Sequence, residues 1–352
     1  MTGGVESYSW AVSQAFAKVC ERVALITASP DGQLPKDKTR LNSVTCVRGN
    51  SQFVLFLRFV MRLLLCRLKG DKFDVIHATT WRMALPALLV FPGSKLVITI
   101  HGNEILVKSV FLKRLMSWAV NKAGLLVCVS AYTESLLRET VAHLETKTSV
   151  NYNGVSSLTG VHDIEAKWSQ PNQSLTTFTV CRHEPRKNLI AAVKGFISSG
   201  IAEEYRIAGA GPETEKLADL LKEYPNANVT LLGRISDSQL KQELSEASIF
   251  LHPQIEIKSS GDVEGFGLVV ADAMANGCVA IAGANGGTKE LIDHEVTGLS
   301  LEACDSSEIA NQLAWCAANR DKLQIIGIAA HQRATRDFNW DSHAARILSE
   351  LQ

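Results

Sequence analysis

The stretch from Gly261 to Gly277 combines two carboxylates with a glycine-rich loop that leads into a helix. Glu264 stands in the loop, and Asp272 follows eight residues later, within the apolar run that begins after Gly267. The free N–H groups of a helix that opens out of such a loop favour phosphate. Two carboxylates beside an anion site suit a ligand that also offers hydroxyl groups or a developing positive charge. A nucleotide sugar offers both, so the stretch predicts a nucleotide-sugar site.

A second group of chemically capable side chains is cationic and follows another predicted strand. The strand that begins at Phe178 ends near Arg182, and a helix is predicted to start near Lys187. Cations at a strand end beside the start of a helix suit a pyrophosphate group. The alternative is a surface basic cluster that includes Arg186.

A histidine, His101, ends the apolar strand predicted from Lys95. In open α/β sheets, ligands collect at the carboxyl ends of strands. We therefore predict a role in chemistry for His101, although a lone histidine at such a place is also compatible with a structural role. Asn103 and Glu104 follow it and are candidates for substrate contact.

Two further glycine-bearing loops follow predicted strands. Gly211 lies in a Gly-x-Gly-Pro loop after the strand that begins at Tyr205, which is weak evidence by itself because Gly-x-Gly is common. Gly286 and Gly287 precede a helix predicted from about Thr288.

The elements that must position these residues alternate between strand and helix along the chain. Among them, a buried parallel strand is predicted at Arg22–Thr27, and helices are predicted at residues 51–68 and 111–123. The rhythm runs twice and each half carries a phosphate-type site. The sequence therefore predicts an α/β protein with two doubly wound parallel-sheet domains and a cleft between them.

The motifs resemble those of the retaining glycosyltransferases of family four, which have the GT-B fold. That family carries Glu, seven residues and a second Glu, with Phe-Gly-Leu or a close variant after the first. Here Glu264 is the first acid, and Asp272, one methylene shorter, stands at the second position. The Asp-Val-Glu-Gly lead-in is similar to the subset that includes phosphatidylinositol mannosyltransferases.

The resemblance implies an organisation for the chain. Residues 1–150 would form an acceptor-binding Rossmann-like domain, with helix 341–351 packing back on it, and residues 151–340 would form the domain that binds the nucleotide-sugar donor. In the family, a glycine pair such as Gly3-Gly4 follows a first strand, which is missing here. We expect that the true start lies upstream, that another segment fills the slot, or that the protein is impaired.

The resemblance also implies roles for individual residues. Arg182 and Lys187 would hold the donor diphosphate, His101 would contact the transferred sugar, and Glu264 would orient donor hydroxyls without acting as a covalent nucleophile. The implied donor-binding residues are Gly3, Gly4, Arg182, Lys187, Gly211, Arg234, Ile235, Glu264, Phe266, Gly267, Leu268 and Asp272. Neither a metal nor another cofactor is expected, although Asp262-Val-Glu264 superficially resembles the Asp-x-Asp metal motif of the other major glycosyltransferase fold.

Charge is divided unevenly along the chain. Residues 1–150 hold 19 Lys and Arg against 10 Asp and Glu, whereas the remainder holds 17 against 26. The basic half indicates an anionic substrate or surface, or else a drift of surface charge between domains. Helix 51–68, with Arg58, Arg62 and Arg67, and helix 111–123 are each compatible with a membrane surface or with packing in the protein.

Composition and motifs bound the cellular setting. The eight cysteines are scattered and suit reduced thiols in the cytoplasm, there is no signal peptide, and the apolar run at 53–68 is too short and too charged to span a bilayer. We therefore expect a cytoplasmic protein with peripheral contact at the inner face of the membrane. Its expected partners are a nucleotide-sugar donor and a glycan or lipid-linked acceptor, with no nucleic acid.

The function implied by the resemblance is hexosyl transfer in the synthesis of cell-envelope polysaccharide, lipopolysaccharide or glycolipid. Two alternatives stay open: a nucleotide-sugar epimerase of similar double-sheet shape, and a non-catalytic partner subunit, suggested by the missing strand and by Asp272. A nicotinamide enzyme is disfavoured because no Gly-x-Gly-x-x-Gly motif lies in the first strand–helix turn.

Overall fold

The computed structural model describes residues 4–28, 41–49, 51–156, 160–169, 175–201, 203–257 and 262–352 of the 352-residue chain. The predicted site residue Gly3 and the first residue of the glycine-rich stretch, Gly261, lie outside these ranges. No helix in the described part combines the length and the apolar character of a bilayer-spanning segment.

The described elements alternate as predicted. The strands are β1 (Ala24–Ala28), β2 (Ser43–Val47), β3 (Val75–Ala78), β4 (Lys95–Ile100), β5 (Leu125–Cys128), β6 (Thr148–Val150), β7 (Thr177–Val180), β8 (Tyr205–Ala208), β9 (Val229–Gly233), β10 (Ile249–His252), β11 (Val279–Gly283) and β12 (Leu299–Leu301). The helices are α1 (Gly4–Val19), α2 (Gln52–Leu68), α3 (Trp81–Val90), α4 (Val110–Asn121), α5 (Ala131–Thr140), α6 (Val161–Trp168), α7 (Leu189–Ser198), α8 (Thr214–Glu223), α9 (Asp237–Glu246), α10 (Leu268–Ala275), α11 (Ser306–Ala318), α12 (Arg320–Asp337) and α13 (Trp340–Glu350).

By internal contacts the chain divides into two compact units. Thr2–Gly154 and Trp340–Gln352 form an N-terminal unit, and Val155–Asn339 form a C-terminal unit. Every strand pair in both units is parallel. The predicted α/β class with two Rossmann-like parallel-sheet domains is thereby confirmed.

The N-terminal unit contains two separate sheets. Strands β3 to β6 pair in sequence order, whereas β1 pairs with β2 alone. The prediction of a buried strand at Arg22–Thr27 was therefore wrong in one respect, because β1 is parallel but both of its ends are exposed. Each strand of a two-stranded sheet has an unpaired edge, so it is less enclosed than a central strand. On the four-stranded sheet, α1 and α13 pack together over Val97, Leu125 and Val127.

The C-terminal unit has one six-stranded sheet with the order β12-β11-β10-β7-β8-β9. The chain starts this sheet at β7, continues through β8 to β9 on one side, and then crosses to β10 on the other side. Strands β7 and β10 are thus neighbours at the point where the strand order reverses. Ligands in such sheets bind outside the carboxyl ends of the strands at this point, so the loops after β7 and β10 define the place to search.

Candidate functional site

The loop after β7 is a short, firmly held turn. Pro185–Lys187 form a 3-10 helix, and Asn188 then adopts a left-handed conformation (φ 56°) before α7 begins. The Asn188 amide donates to the carbonyls of Pro253 (3.1 Å) and Cys304 (2.7 Å). These bonds tie the turn to the segment that follows β10 and to the one that follows β12.

The turn meets the loop after β10 in a buried ion cluster. Oε2 of Glu264 accepts hydrogen bonds from Nζ of Lys187 and from Nη1 of Arg186, the latter at 2.7 Å. Burial alone would raise the pKa of the Glu264 carboxyl, but the two cations outweigh it and hold the pKa well below its usual range. Glu264 is therefore an ionised carboxylate at any moderate pH.

A neutral histidine completes this cluster. Nε2 of His252, the last residue of β10, lies 3.3 Å from Nζ of Lys187 and 3.9 Å from Oε2 of Glu264. Burial, followed by the Lys187 charge, lowers the pKa of His252 to about 4. The cluster thus consists of neutral and charged groups that contact one another side by side at the switch point of the sheet.

The two predicted diphosphate cations occupy different environments. Lys187 is buried, whereas the Arg182 side chain is 73% exposed and pairs with Glu184 at 2.8 Å. The guanidinium that contacts Glu264 belongs instead to Arg186, which was considered only as part of a surface basic cluster. The sequence signal that could have identified Arg186 is the preceding Pro185, because a 3-10 turn that starts there directs the neighbouring side chains differently from an α-helix.

Glycines allow two loops to stack backbone against backbone beside Glu264. The N–H of Gly287 donates to the carbonyl of Glu264 at 2.7 Å. A Cβ atom on Gly287 would lie 2.0 Å from the carbonyl oxygen of Gly265, and one on Gly286 would lie 2.4 Å from that of Glu264. The helix predicted from about Thr288 was wrong, because Gly286–Glu290 form a short 3-10 helix whose threonine hydroxyl bonds back to the carbonyl of Gly283.

The remaining positions of the acidic motif make contacts within the C-terminal unit. Phe266 is buried and packs edge-to-face on Phe338, with ring centroids 5.6 Å apart. Gly267 has a φ of 93° and directly precedes Leu268, the first residue of α10. Asp272 lies in α10 and accepts the backbone N–H of Ser156 at 2.6 Å, and burial raises its pKa to about 6.

The other predicted donor residues lie on neighbouring strand ends. The N–H of Gly211 donates to the Thr214 hydroxyl at 2.9 Å, and a Cβ there would lie 2.5 Å from the carbonyl of His183. Arg234 is exposed and Ile235 is half-buried, directly after the edge strand β9. None of these three is in the described contacts of Glu264.

His101 belongs to a separate cluster of side chains in the N-terminal unit. The predicted site residue Gly4 is the exposed first residue of α1 in the same unit. Nε2 of His101 lies 3.0 Å from the carbonyl of Thr79, and its backbone N–H donates to Oε1 of Glu104 at 2.7 Å. A carbonyl only accepts, so Nε2 carries the hydrogen and Nδ1 is left as an acceptor. Burial lowers the pKa of His101 to about 4, so the ring is neutral near pH 7, and burial raises the pKa of Glu104 to about 7.

A one-directional hydrogen-bond chain lies directly behind His101. Nδ1 of His343 donates to the carbonyl of Tyr152 (2.8 Å), so its Nε2 accepts from the Tyr8 hydroxyl (2.9 Å). The Tyr8 oxygen in turn accepts from Thr99 (2.9 Å), which accepts from Nε2 of His77 (2.7 Å). The Tyr8 ring packs edge-on against His101, with centroids 4.8 Å apart. No local sequence pattern indicates this hydrogen-bond chain, because its members lie far apart in the sequence.

Comparison with family models covers nearly the whole chain. Residues 2–157 match the model described as Glycosyltransferase Family 4, and residues 161–333 match the model described as Glycosyl transferases group 1.

Curated relatives match part of the chain. A GDP-mannose-dependent alpha-(1-6)-phosphatidylinositol monomannoside mannosyltransferase of Mycobacterium tuberculosis is 31% identical over 147 residues, which is 42% of this chain and 38% of the relative. A putative colanic acid biosynthesis glycosyltransferase, WcaL of Salmonella typhimurium, is 28% identical over 187 residues, or 52% and 46%. The chain thus matches less than half of the length of these two relatives.

Solved structures share the fold over nearly all of the chain. Sucrose-phosphate synthase from Thermosynechococcus elongatus superposes with a TM-score of 0.79 at 21% identity, covering 99% of this chain and 92% of that one. Anabaena HepE in complex with UDP superposes with a TM-score of 0.74 at 20% identity, covering 99% and 96%.

Proposed function

Because the chain belongs to the family 4 and group 1 glycosyltransferases, we propose that it moves a hexosyl unit from a nucleotide-diphosphate sugar to a glycan or glycolipid acceptor. The observation that carries the proposal is the ionised Glu264 bound by Lys187 and Arg186 at the switch point of the C-terminal sheet. Relatives named for phosphatidylinositol mannoside and colanic acid synthesis support an acceptor in the cell envelope.

The donor is assigned to the C-terminal unit. Lys187 and the exposed Arg182 stabilise the negative charge that develops on the leaving diphosphate. Lys187 has three N–H donors and can bridge from Glu264 to a phosphate oxygen. The backbone of the Gly286-Gly287 loop lies directly against the Glu264 loop and so helps to fix Glu264 beside Lys187.

Retention of anomeric configuration is part of the proposal. Glycosidases that retain through a covalent intermediate use two facing carboxylates, whereas Oε2 of Glu264 is bound by Lys187 and Arg186, which stabilise its charge and make the carboxylate a weaker nucleophile. Glu264 instead orients donor hydroxyls and supports the positive charge on the sugar. The acceptor attacks on the face from which the diphosphate leaves, and a phosphate oxygen takes its proton.

The acceptor is assigned to the N-terminal unit, with His101 as the contact to the transferred sugar. The neutral ring with its hydrogen on Nε2 offers an acceptor at Nδ1. We propose that the reaction needs no metal, because Lys187, beside Glu264, and the exposed Arg182 of the same loop supply positive charge to the diphosphate.

Peripheral contact with an anionic membrane at its cytoplasmic face is proposed for the N-terminal unit. Helix α2 buries one face through Phe59, Leu63 and Cys66, while its opposite face exposes a second apolar stripe. That stripe consists of Phe53, Val54, Leu57, Met61, Leu64, Leu65 and Leu68.

Basic side chains flank this stripe and continue on a nearby helix. Arg58 and Arg67 lie at its two edges, α2 packs on α3, and α3 packs on α4, which exposes Phe111 (72%) near Lys113 and Arg114. An exposed apolar stripe bordered by arginine and lysine is typical of a helix that lies in the headgroup region of an anionic bilayer.

The test of the donor site is a thermal-shift panel of UDP, GDP, ADP and their common sugar conjugates. A ligand at 100 times its dissociation constant adds about 2.7 kcal/mol of stability. We expect the nucleotides of one base to raise the melting temperature clearly, and Arg182→Ala to reduce that shift.

The outcomes separate the alternatives. No response from folded protein would overturn the donor site and favour a non-catalytic partner subunit. Conversion of the nucleotide sugar to an epimer in the absence of any acceptor would favour the epimerase. Transfer with inverted anomeric configuration would contradict retention alone.

A further inference from the structure

Arg186 lies between the two carboxylates of the segment that opens the acidic motif. Its Nη1 is 2.7 Å from Oε2 of Glu264, and its Nε is 3.1 Å from Oδ1 of Asp262. The guanidinium side chain is only 13% exposed. A planar guanidinium with a fork of donors suits two acceptors at fixed angles, which a lysine ammonium does not.

The backbone beneath Arg186 is held from several directions. The Arg186 carbonyl accepts the N–H of Ile255 at 2.9 Å, and the preceding Pro185 restricts the turn. On the other side, the Asn188 amide binds the carbonyl of Pro253. The guanidinium therefore starts from a fixed position beside the loop that carries Glu264.

The contacts of the Glu264 carboxylate are asymmetric. Within the described residues, its hydrogen bonds and ion pairs all involve Oε2, which Arg186, Lys187 and His252 surround. Lys187 sits on a flexible four-carbon stem and is assigned to the diphosphate, so its hold on Glu264 changes when a donor binds. The guanidinium of Arg186 pairs with Asp262 and Glu264 and is not assigned to the diphosphate, so its contact with Glu264 need not change.

We propose that Arg186 is a positioning residue that fixes Oε2 of Glu264, so that Oε1 is the oxygen presented to a hydroxyl of the donor sugar. The inference deepens the proposed function and rests on it. Arg186 acts through Glu264 and touches neither the diphosphate nor the sugar. Its effect should consequently be confined to ligands that carry the sugar.

The experiment compares two affinities by calorimetry, that of a nucleoside diphosphate and that of the matching nucleotide sugar. They are measured for the wild-type protein, Arg186→Met, Arg186→Lys and Glu264→Gln. Arg333→Met is the matched control, because Arg333 is similarly buried (17% exposed) in an ion pair of the same unit, with Asp293.

For Arg186→Met we expect the nucleoside diphosphate to bind within about twofold of wild type and the nucleotide sugar to bind about tenfold more weakly, the loss of one oriented charge-assisted hydrogen bond. Arg186→Lys should also weaken the binding of the nucleotide sugar relative to that of the nucleoside diphosphate, but by less than Arg186→Met does. Adding Arg186→Met to Glu264→Gln should cost little more, because both changes remove the same contact. Arg333→Met should leave the ratio of the two affinities unchanged.

Each contrary result has a distinct meaning. If the wild-type protein binds neither ligand, the proposed function and this inference both fail. If the wild type binds both and Arg186→Met weakens them equally, or not at all, the inference alone fails. Should Arg186→Met not fold, an unchanged affinity ratio in Arg186→Lys would overturn the inference by itself.

Discussion

The carboxylate of Asp272 accepts the backbone N–H of Ser156, with 2.6 Å between Oδ1 and the nitrogen. Ser156 is 116 residues earlier in the chain, near the start of the C-terminal unit. The resemblance implied a donor contact for the acid at this position. In this structure, Oδ1 holds a backbone segment in place, and the donor contact of this side chain stays a prediction.

This contact leads to a prediction about Asp272→Asn. The folded-state pKa of about 6 lies above the ordinary value of 3.8 because the carboxyl is buried. The folded protein thus binds the proton more tightly than the unfolded chain, and stability falls as pH rises from 4 to 6. Asn is neutral and still accepts from Ser156, so Asp272→Asn should be more stable than wild type at pH 8, by up to roughly 3 kcal/mol. Denaturant unfolding at pH 8 and pH 4 measures this.

The gain of Asp272→Asn should disappear at pH 4, where the wild-type carboxyl is protonated. Asp305→Asn is the comparison, since Asp305 caps α11 through the N–H of Glu308. It should lose stability at pH 8 rather than gain it. An Asp272→Asn protein that is less stable than wild type at pH 8 would contradict burial as the dominant effect.

Lys187→Ala should weaken the binding of a nucleoside diphosphate by about 10- to 100-fold, the worth of a charge-assisted hydrogen bond to an anion. Lys216→Ala serves as the control, because Lys216 is an exposed lysine of the same unit that pairs with Glu213. Titration calorimetry gives both affinities. An unchanged affinity in Lys187→Ala would remove the diphosphate assignment.

The buried histidines of the N-terminal unit should make its free energy of unfolding depend on pH. Burial lowers the pKa of His77 to about 3 and those of His101 and His343 to about 4, whereas the ordinary value is 6.5. Only the unfolded chain binds these protons between pH 6.5 and 4, so stability is lost as pH falls through that range. Each histidine contributes up to about 1.4 kcal/mol per pH unit.

His343→Gln tests this account of the histidine cluster. It should reduce the slope of the unfolding free energy against pH between 6.5 and 4 by up to the equivalent of one bound proton. Denaturant unfolding measures this slope. His294→Gln, which replaces an exposed histidine of the C-terminal unit, is the control. Equal slopes in wild type and His343→Gln would show that the buried ring is not the group that responds.

The α2 stripe gives a prediction about vesicles. Wild-type protein should sediment with vesicles that contain anionic lipid at low salt and be released at high salt, because salt screens the arginine contacts. Met61→Glu with Leu68→Glu should abolish sedimentation, since both side chains are exposed (64% and 82%) on the stripe. Ile325→Glu, which changes a comparably exposed residue (68%) of the C-terminal unit, should sediment normally. Absence of sedimentation by wild type at both salt concentrations would remove the membrane proposal.

Much of the fold could be read from local pattern. Short apolar runs separated by amphipathic segments specify buried parallel strands and covering helices, because each element must bury one surface. His101 and the cations near Lys187 were proposed as site residues because the carboxyl edge of a parallel sheet is where ligands collect, and Glu264 was proposed from the glycine-rich loop that leads into a helix. The glycine requirement at Gly267 is likewise local, because its φ is 93°, whereas the one at Gly287 comes from the carbonyl of Gly265 on another loop.

Tertiary structure alone decided which of these residues meet. The order of the six strands brings the loops after β7 and β10 together, and Arg186 rather than Arg182 then reaches Glu264, 78 residues away. Asp272 likewise has its partner, Ser156, far away in the sequence. The ring of His101 packs on Tyr8, which in turn hydrogen-bonds to His343. The sequence by itself determined the type of each element and the chemistry at its end, because backbone geometry and side-chain periodicity are local. The partner of each charged or polar group was decided only by tertiary packing, because a buried group is satisfied by whatever the fold places beside it.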